Sequence, residues 1–163
     1  MSITFSLNGR PCRFHDDPMT PLIDVLRDRS FLTGAKAVCR EGFCGACTIH
    51  IDGAPQMACL KPVALVDGRE VTTIEGLGNG REPLHPLQAA FLKADVVQCG
   101  MCFPGMVMSL SAFVRDRPEA DRNAIKSAMT GNICRCTGYE LIIDAVVDHL
   151  SQTGISTQEC ADG

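Results

Sequence analysis

Lysine and arginine never cluster in this sequence, and its formal net charge is −4. It therefore has no basic footprint of the kind that binds nucleic acid or an anionic membrane. Long apolar runs are missing too, the longest falling far short of the roughly 20 residues that cross a bilayer. The start, Met1-Ser2-Ile3-Thr4-Phe5, shows no basic segment, apolar stretch or small-residue cleavage site, and no twin-arginine signal. A cytoplasmic protein is the expectation.

What the sequence has in excess is cysteine, ten in 163 residues. In a short secreted chain that density would mean disulfides. With no export signal, thiols are expected to stay reduced, and dense cysteine then points to metal. Scattered buried cysteines would not fall in tight groups, as these do. With 45% apolar residues the chain can bury one large core or two small ones.

The first half reads as strands with a short helix. Ile3, Phe5 and Leu7 alternate with polar residues, Asn8-Gly9 supplies a tight hairpin turn, and Arg10–Phe14 would return antiparallel. Thr20-Pro21 reads as an N-cap and first helical position before Leu22, Ile23, Val25 and Leu26. A loop over 39–47 leads to Thr48–Ile51, the Asp52-Gly53 turn, an extended stretch carrying Cys59, and a last β run over Glu70–Ile74.

The segment Glu75–Pro83 is polar and glycine-rich and reads as a linker. Its Gly76-x-Gly78-x-Gly80 has the wrong spacing for a dinucleotide loop. Beyond it the period turns helical: Leu87, Ala90, Phe91 and Ala94; then Met106, Leu110, Phe113 and Val114 after Pro104; then Ile125, Ala128 and Met129 behind an Asp121 cap and stopping at Gly131. A fourth helix, opened by a Thr137-x-x-Glu140 capping box, would bury Ile142, Ala145, Val146 and Leu150. The expectation is an α+β chain with a first domain over 1–76, a linker over 77–84, a helical domain over 85–152 and a loose tail over 153–163.

Eight cysteines form two sets. Cys39-x4-Cys44-x2-Cys47, followed by Cys59, has the plant-type [2Fe–2S] spacing. Three thiolates must converge from one loop around a small inorganic core, so the loop curls tightly, and Gly42 and Gly45 sit where close backbone approach is needed. A thioredoxin-like dithiol would need neither Cys39 nor Cys59. A four-cysteine zinc site usually pairs two short-spaced doublets, and a Rieske centre would need two histidines where His50 is alone.

The second set is Cys99-x2-Cys102 and Cys134-x-Cys136. Each doublet precedes an expected helix, whose N-terminal N–H groups and positive end favour thiolates and an anionic cluster. By spacing alone, an all-cysteine zinc site fits nearly as well.

Three stretches carry a family resemblance: Cys39-Arg40-Glu41-Gly42-Phe43-Cys44-Gly45-Ala46-Cys47-Thr48, Gln98-Cys99-Gly100-Met101-Cys102-Phe103-Pro104-Gly105-Met106, and Gly131-Asn132-Ile133-Cys134-Arg135-Cys136-Thr137-Gly138-Tyr139. They resemble the small iron–sulfur subunit of the molybdenum hydroxylases, the xanthine dehydrogenase family, over roughly residues 3–150. The resemblance implies an N-terminal β-grasp ferredoxin domain and a C-terminal four-helix-bundle domain, each with one [2Fe–2S] cluster. It further implies a large molybdopterin-binding subunit and a medium FAD-binding subunit as partners in a heterotrimer.

Electrons would pass from molybdopterin through the second cluster, then the first, to the flavin. The substrate oxidised in the large subunit would be a small molecule, an N-heteroaromatic or purine by family breadth. Gln98 and Cys136 match positions next to the pterin. Met101 and Phe103 stand where relatives usually carry an aromatic and a threonine, and Val38 where glycine is common.

No residue of this chain is expected to act as acid, base or nucleophile, and His15, His50, His85 and His149 read as surface or structural. Arg40 and Arg135 either offset cluster charge, or are solvated, or meet a partner. Cys12 and Cys160 are spare. A free-standing two-cluster carrier is the alternative function.

Overall fold

The computed structural model describes residues 2–80 and 84–154. Five short strands form one mixed sheet: β1 (Ile3–Leu7), β2 (Arg10–Phe14), β3 (Thr48–Ile51), β4 (Ala54–Met57) and β5 (Glu70–Thr72), in the order β2-β1-β5-β3-β4. The β1 and β5 strands are parallel, and every other pair is antiparallel. Both hairpin turns rest on two consecutive left-handed residues, Asn8 and Gly9 in the first and Asp52 and Gly53 in the second, which matches the strands' twist.

On the inner face of the sheet Ile3, Phe5, Leu7, Ile49, Ile51 and Val71 pack with a short helical segment, α1 (Leu22–Asp24), which widens into a π turn over Val25–Arg29. Leu22, Ile23, Val25 and Leu26 are all buried there. Thr20 does not cap this segment. Its hydroxyl donates to the Asp17 carbonyl at 2.7 Å, and Pro21 takes the cap position.

The second half contributes four helices: α2 (Pro86–Lys93), α3 (Phe103–Asp116), α4 (Arg122–Ala128) and α5 (Glu140–Gly154). Leu87, Phe91, Met106, Leu110, Ile125, Ile142 and Val146 make a second core. Asp121 caps α4 by accepting from Ala124 N–H at 2.8 Å. Leu77–Gly80, inside the expected connection, form a 3-10 turn, and Ile74 and Leu77 pack on the second core. Thr153 and Gly154 are the last residues of α5, while Cys160 lies outside the described residues.

The capping box expected from Thr137 and Glu140 does not form. The α5 helix begins at Glu140 itself. The Glu140 carboxylate instead joins Arg122 and Lys126 of α4, and Arg122 also reaches Asp144. Thr137 has a different task, described below.

The halves meet where α3 packs on β3 and β4. Successive residues of a strand face opposite ways, so Ile49 and Ile51 enter the first core while Thr48 and His50 are buried on the opposite face. His50 Nε2 lies 2.7 Å from the Met108 carbonyl of α3, which also accepts from the Ser111 hydroxyl. Arg115 of α3 donates to the Gly53 carbonyl at 3.1 Å. Among the described residues, no helix is long and apolar enough to cross a membrane.

Candidate metal centres

Cys39, Cys44 and Cys47 lie on one loop before β3, curled by positive φ at Arg40 (58°), Gly42 (79°) and Gly45 (68°). Cys59 reaches the site from a 3-10 turn, Ala58–Leu60, just past β4 rather than from a strand. The tight turn brings the chain back onto the loop, where Ala58 N–H donates to the Cys47 carbonyl at 3.3 Å.

Glu41 N–H points at Cys39 Sγ, 3.4 Å away. With further donation from the backbone at Cys44 and Phe43, it draws the Cys39 thiol down to about 6. Burial pushes Cys47 the other way, up to about 12, beside Cys59. Cys44 acts electrostatically on both Cys39 and Cys47, and Cys59 acts on Cys47, so the four thiols lie within reach of one another. Arg40 is not free over the loop, because Asp24 of α1 binds its guanidinium at 2.7 and 3.0 Å.

The second site is built from two junctions. Cys102 is the N-cap of α3, where the helix's unpaired N–H groups begin. Cys134 and Cys136 lie between the 3-10 turn Met129–Gly131 and α5. Cys136 Sγ donates to Cys99 Sγ at 3.5 Å, and the Cys102 and Cys134 thiols act on one another electrostatically.

Burial pushes Cys102 up to about 12. Burial acts upward on Cys134 as well, yet its thiol sits below the ordinary value. The Thr137 hydroxyl at 3.1 Å and the N–H groups of Thr137 and Cys136 favour its thiolate. Gln98, Cys99 and Cys136 are exposed, whereas Cys134 is buried and Cys102 half-buried.

Two hydrogen bonds join the sites directly. Ile133 N–H, one residue before Cys134, donates to the Cys44 carbonyl at 2.9 Å. The buried Asn132 side chain donates to the Gly45 carbonyl at 3.2 Å. The approach is close enough to demand glycine. A Cβ on Gly45 would meet the Gly131 carbonyl at 2.3 Å, and one on Gly105 would meet the Gly45 carbonyl at 2.1 Å.

The structure therefore brings each sequence-defined cysteine set together and places Gln98 at the exposed edge of the second. Several contributors carry no signal in the sequence. Asn132 and Ile133 act through an amide and a backbone N–H whose partners lie in the other half of the chain. His85 closes a capping box with Gln88 at the start of α2, a role histidine seldom takes. The Pro86 after it was the available hint. His50 is a buried strut, in keeping with its structural reading, and Cys12 is half-buried on β2.

A family model described as a [2Fe-2S] binding domain matches residues 73–147, and one described as a 2Fe-2S iron-sulfur cluster binding domain matches residues 28–99. The chain is 41% identical over 154 residues to the nicotine 6-hydroxylase small subunit of Paenarthrobacter nicotinovorans, covering 94% of this chain and 92% of that one. It is 43% identical over 154 residues to aldehyde oxidase 1 of Rattus norvegicus, but spans only 12% of that protein's length. Among solved structures, quinoline 2-oxidoreductase from Pseudomonas putida 86 superposes with a TM-score of 0.88 at 39% identity, covering 96% of both chains.

Proposed function

The chain belongs to the iron–sulfur small subunits of the molybdenum hydroxylases, and we propose from this premise that it wires a molybdopterin in a large partner subunit to FAD in a medium one. As a member of that family it is a non-catalytic electron-transfer component of an oxidoreductase, with larger partner subunits. The detailed wiring is our reading. Cys99, Cys102, Cys134 and Cys136 hold the [2Fe–2S] cluster nearer the molybdenum cofactor. Cys39, Cys44, Cys47 and Cys59 hold the one nearer the flavin. A β-grasp domain over 1–76 carries the latter and a four-helix domain over 85–152 the former, joined by 77–84.

The donor chemistry fits. A [2Fe–2S] cluster, when bound, exchanges single electrons and takes two thiolates at each iron. Each site offers four cysteine thiols close enough to act on one another, with Cys136 and Cys99 in direct contact at the second.

The protein's own contribution is positional. The curled loop and the helix junctions hold the thiols and aim N–H groups at them, and the packed halves keep water from Cys47, Cys59 and Cys134. Gln98, Cys99 and Cys136 leave the second site open along one edge, which supports assigning that edge, with Gln98 and Cys136, to the pterin.

The observation that carries the wiring is the hydrogen bond from Ile133 N–H to the Cys44 carbonyl. It joins a residue adjacent to one ligand set to a member of the other. A diffusible one-cluster ferredoxin has no use for such a bridge. Purification of the native protein tests the assignment: it should co-elute with larger chains bearing molybdenum and flavin, and recovery of this chain alone with both clusters would favour the free-standing carrier. Two relatives are named for nicotine and quinoline, both N-heteroaromatic, which supports an N-heteroaromatic or purine substrate. Turnover of aldehydes alone by the purified complex would reject it.

A further inference from the structure

Among the described residues, one hydroxyl donates to a cysteine of either site, that of Thr137. Its orientation is set by a closed circuit of three hydrogen bonds. Cys134 N–H donates to the Tyr139 hydroxyl oxygen at 2.7 Å, and Tyr139 N–H donates to Thr137 Oγ1 at 3.3 Å. The Thr137 hydroxyl then donates to Cys134 Sγ at 3.1 Å.

A cluster-ligating Cys134 sulfur carries no proton, so in this contact the Thr137 hydroxyl is the donor, and the Tyr139 N–H bond to Oγ1 fixes where that oxygen sits. Tyr139 closes the circuit from a left-handed backbone, φ 71°, a conformation that costs a non-glycine residue energy. The loop accepts that strain, and the circuit occupies the place where a helix cap was expected. At the first site the corresponding donors to Cys39 are backbone N–H groups, with no hydroxyl among them.

We propose that Thr137 sets the reduction potential of the second site's cluster, its hydroxyl favouring the reduced form and Tyr139 holding that hydroxyl in register. This rests on the reading of the site as a [2Fe–2S] centre. Adding one electron places more negative charge on the sulfurs, and a hydrogen bond to a charged acceptor is stronger than one to a neutral acceptor. The donor therefore stabilises the reduced state more than the oxidised one and raises the potential. No bond breaks in this one-electron change, and the hydroxyl keeps its proton. The consequence is directional, since the site facing the electron source becomes the better acceptor.

The test is an EPR-monitored redox titration of the cluster-loaded full chain. Thr137→Val should weaken reduction of the second-site cluster about tenfold, equivalent to about 59 mV for a one-electron couple, and leave the other signal in place. Thr137→Ser should restore the original value, and if valine hinders cluster assembly, Thr137→Ala carries the same expectation. An unchanged potential in the valine or alanine variant, a serine variant that fails to restore it, or equal movement of both signals overturns the proposal. Absence of two [2Fe–2S] signals in the unmodified chain would instead overturn the reading beneath it.

Discussion

The two sites solve one problem by opposite means. At the first, three of four cysteines share a single loop, and the shape of that loop comes from its own left-handed residues and backbone N–H groups. At the second, the doublets come from separate helix junctions, and their meeting depends on how α3, α4 and α5 pack. A local device should depend less on distant packing than an assembled one. The second site also uses a side-chain hydroxyl, which the donors to Cys39 at the first do not include, so it is the one a single substitution can retune.

Removal of a ligand should separate the sites most sharply. Cys134→Ser should erase one of two reduced-state EPR signals and take iron from about four to about two per chain, while Cys47→Ser should erase the other. Loss of both signals from either variant would show that the sites are not independent.

Packing is the next lever. Ile142 is fully buried in α5, and truncating a core isoleucine to alanine costs about 2–5 kcal/mol. Ile142→Ala should therefore release the second cluster at a lower denaturant concentration than the first, read by visible absorbance and EPR. Simultaneous release would mean that the halves unfold as one unit.

The contact between halves should respond to pH. Burial lowers the affinity of His50 for a proton, outweighing the opposing effect of the Met108 carbonyl and, more weakly, of Asp116, while Arg115 acts in the same direction as burial. His85 and His149 are shifted the same way by burial. A group whose folded value is depressed leaves the unfolded chain binding more protons. Stability should then be fully present above about pH 6.5, the ordinary histidine value, and fall as pH drops toward the depressed folded values. In chemical denaturation His50→Gln, which keeps a donor for Met108, should flatten part of that slope, the other two histidines supplying the remainder.

The smallest effect belongs to the exposed Arg40–Asp24 pair, whose loss in Arg40→Ala should cost little stability. A larger loss in a thermal melt would mean that the first loop is less self-sufficient than its geometry indicates.

The same contrast explains what could be read from the sequence. The first site was legible because its spacing is local, and the alternation of Ile3, Phe5 and Leu7 and the four buried α1 residues were plain for the same reason. The second set admitted zinc until helix positions and family likeness were added. Thr137 and Glu140 fit a capping pattern, but the Thr137 hydroxyl bonds a sulfur and Glu140 bonds Arg122, partners that a linear motif does not show. His50 and Thr48 alternate with Ile49 and Ile51 as a solvent face would, and only the packing of α3 reveals that face as buried.

The central claim is that both cysteine sets hold [2Fe–2S] clusters. Metal analysis of the native protein combined with EPR of its reduced state tests it most directly. The account predicts about four irons per chain and two distinguishable [2Fe–2S] signals. Stoichiometric zinc without iron, or a single cluster signal, would contradict it.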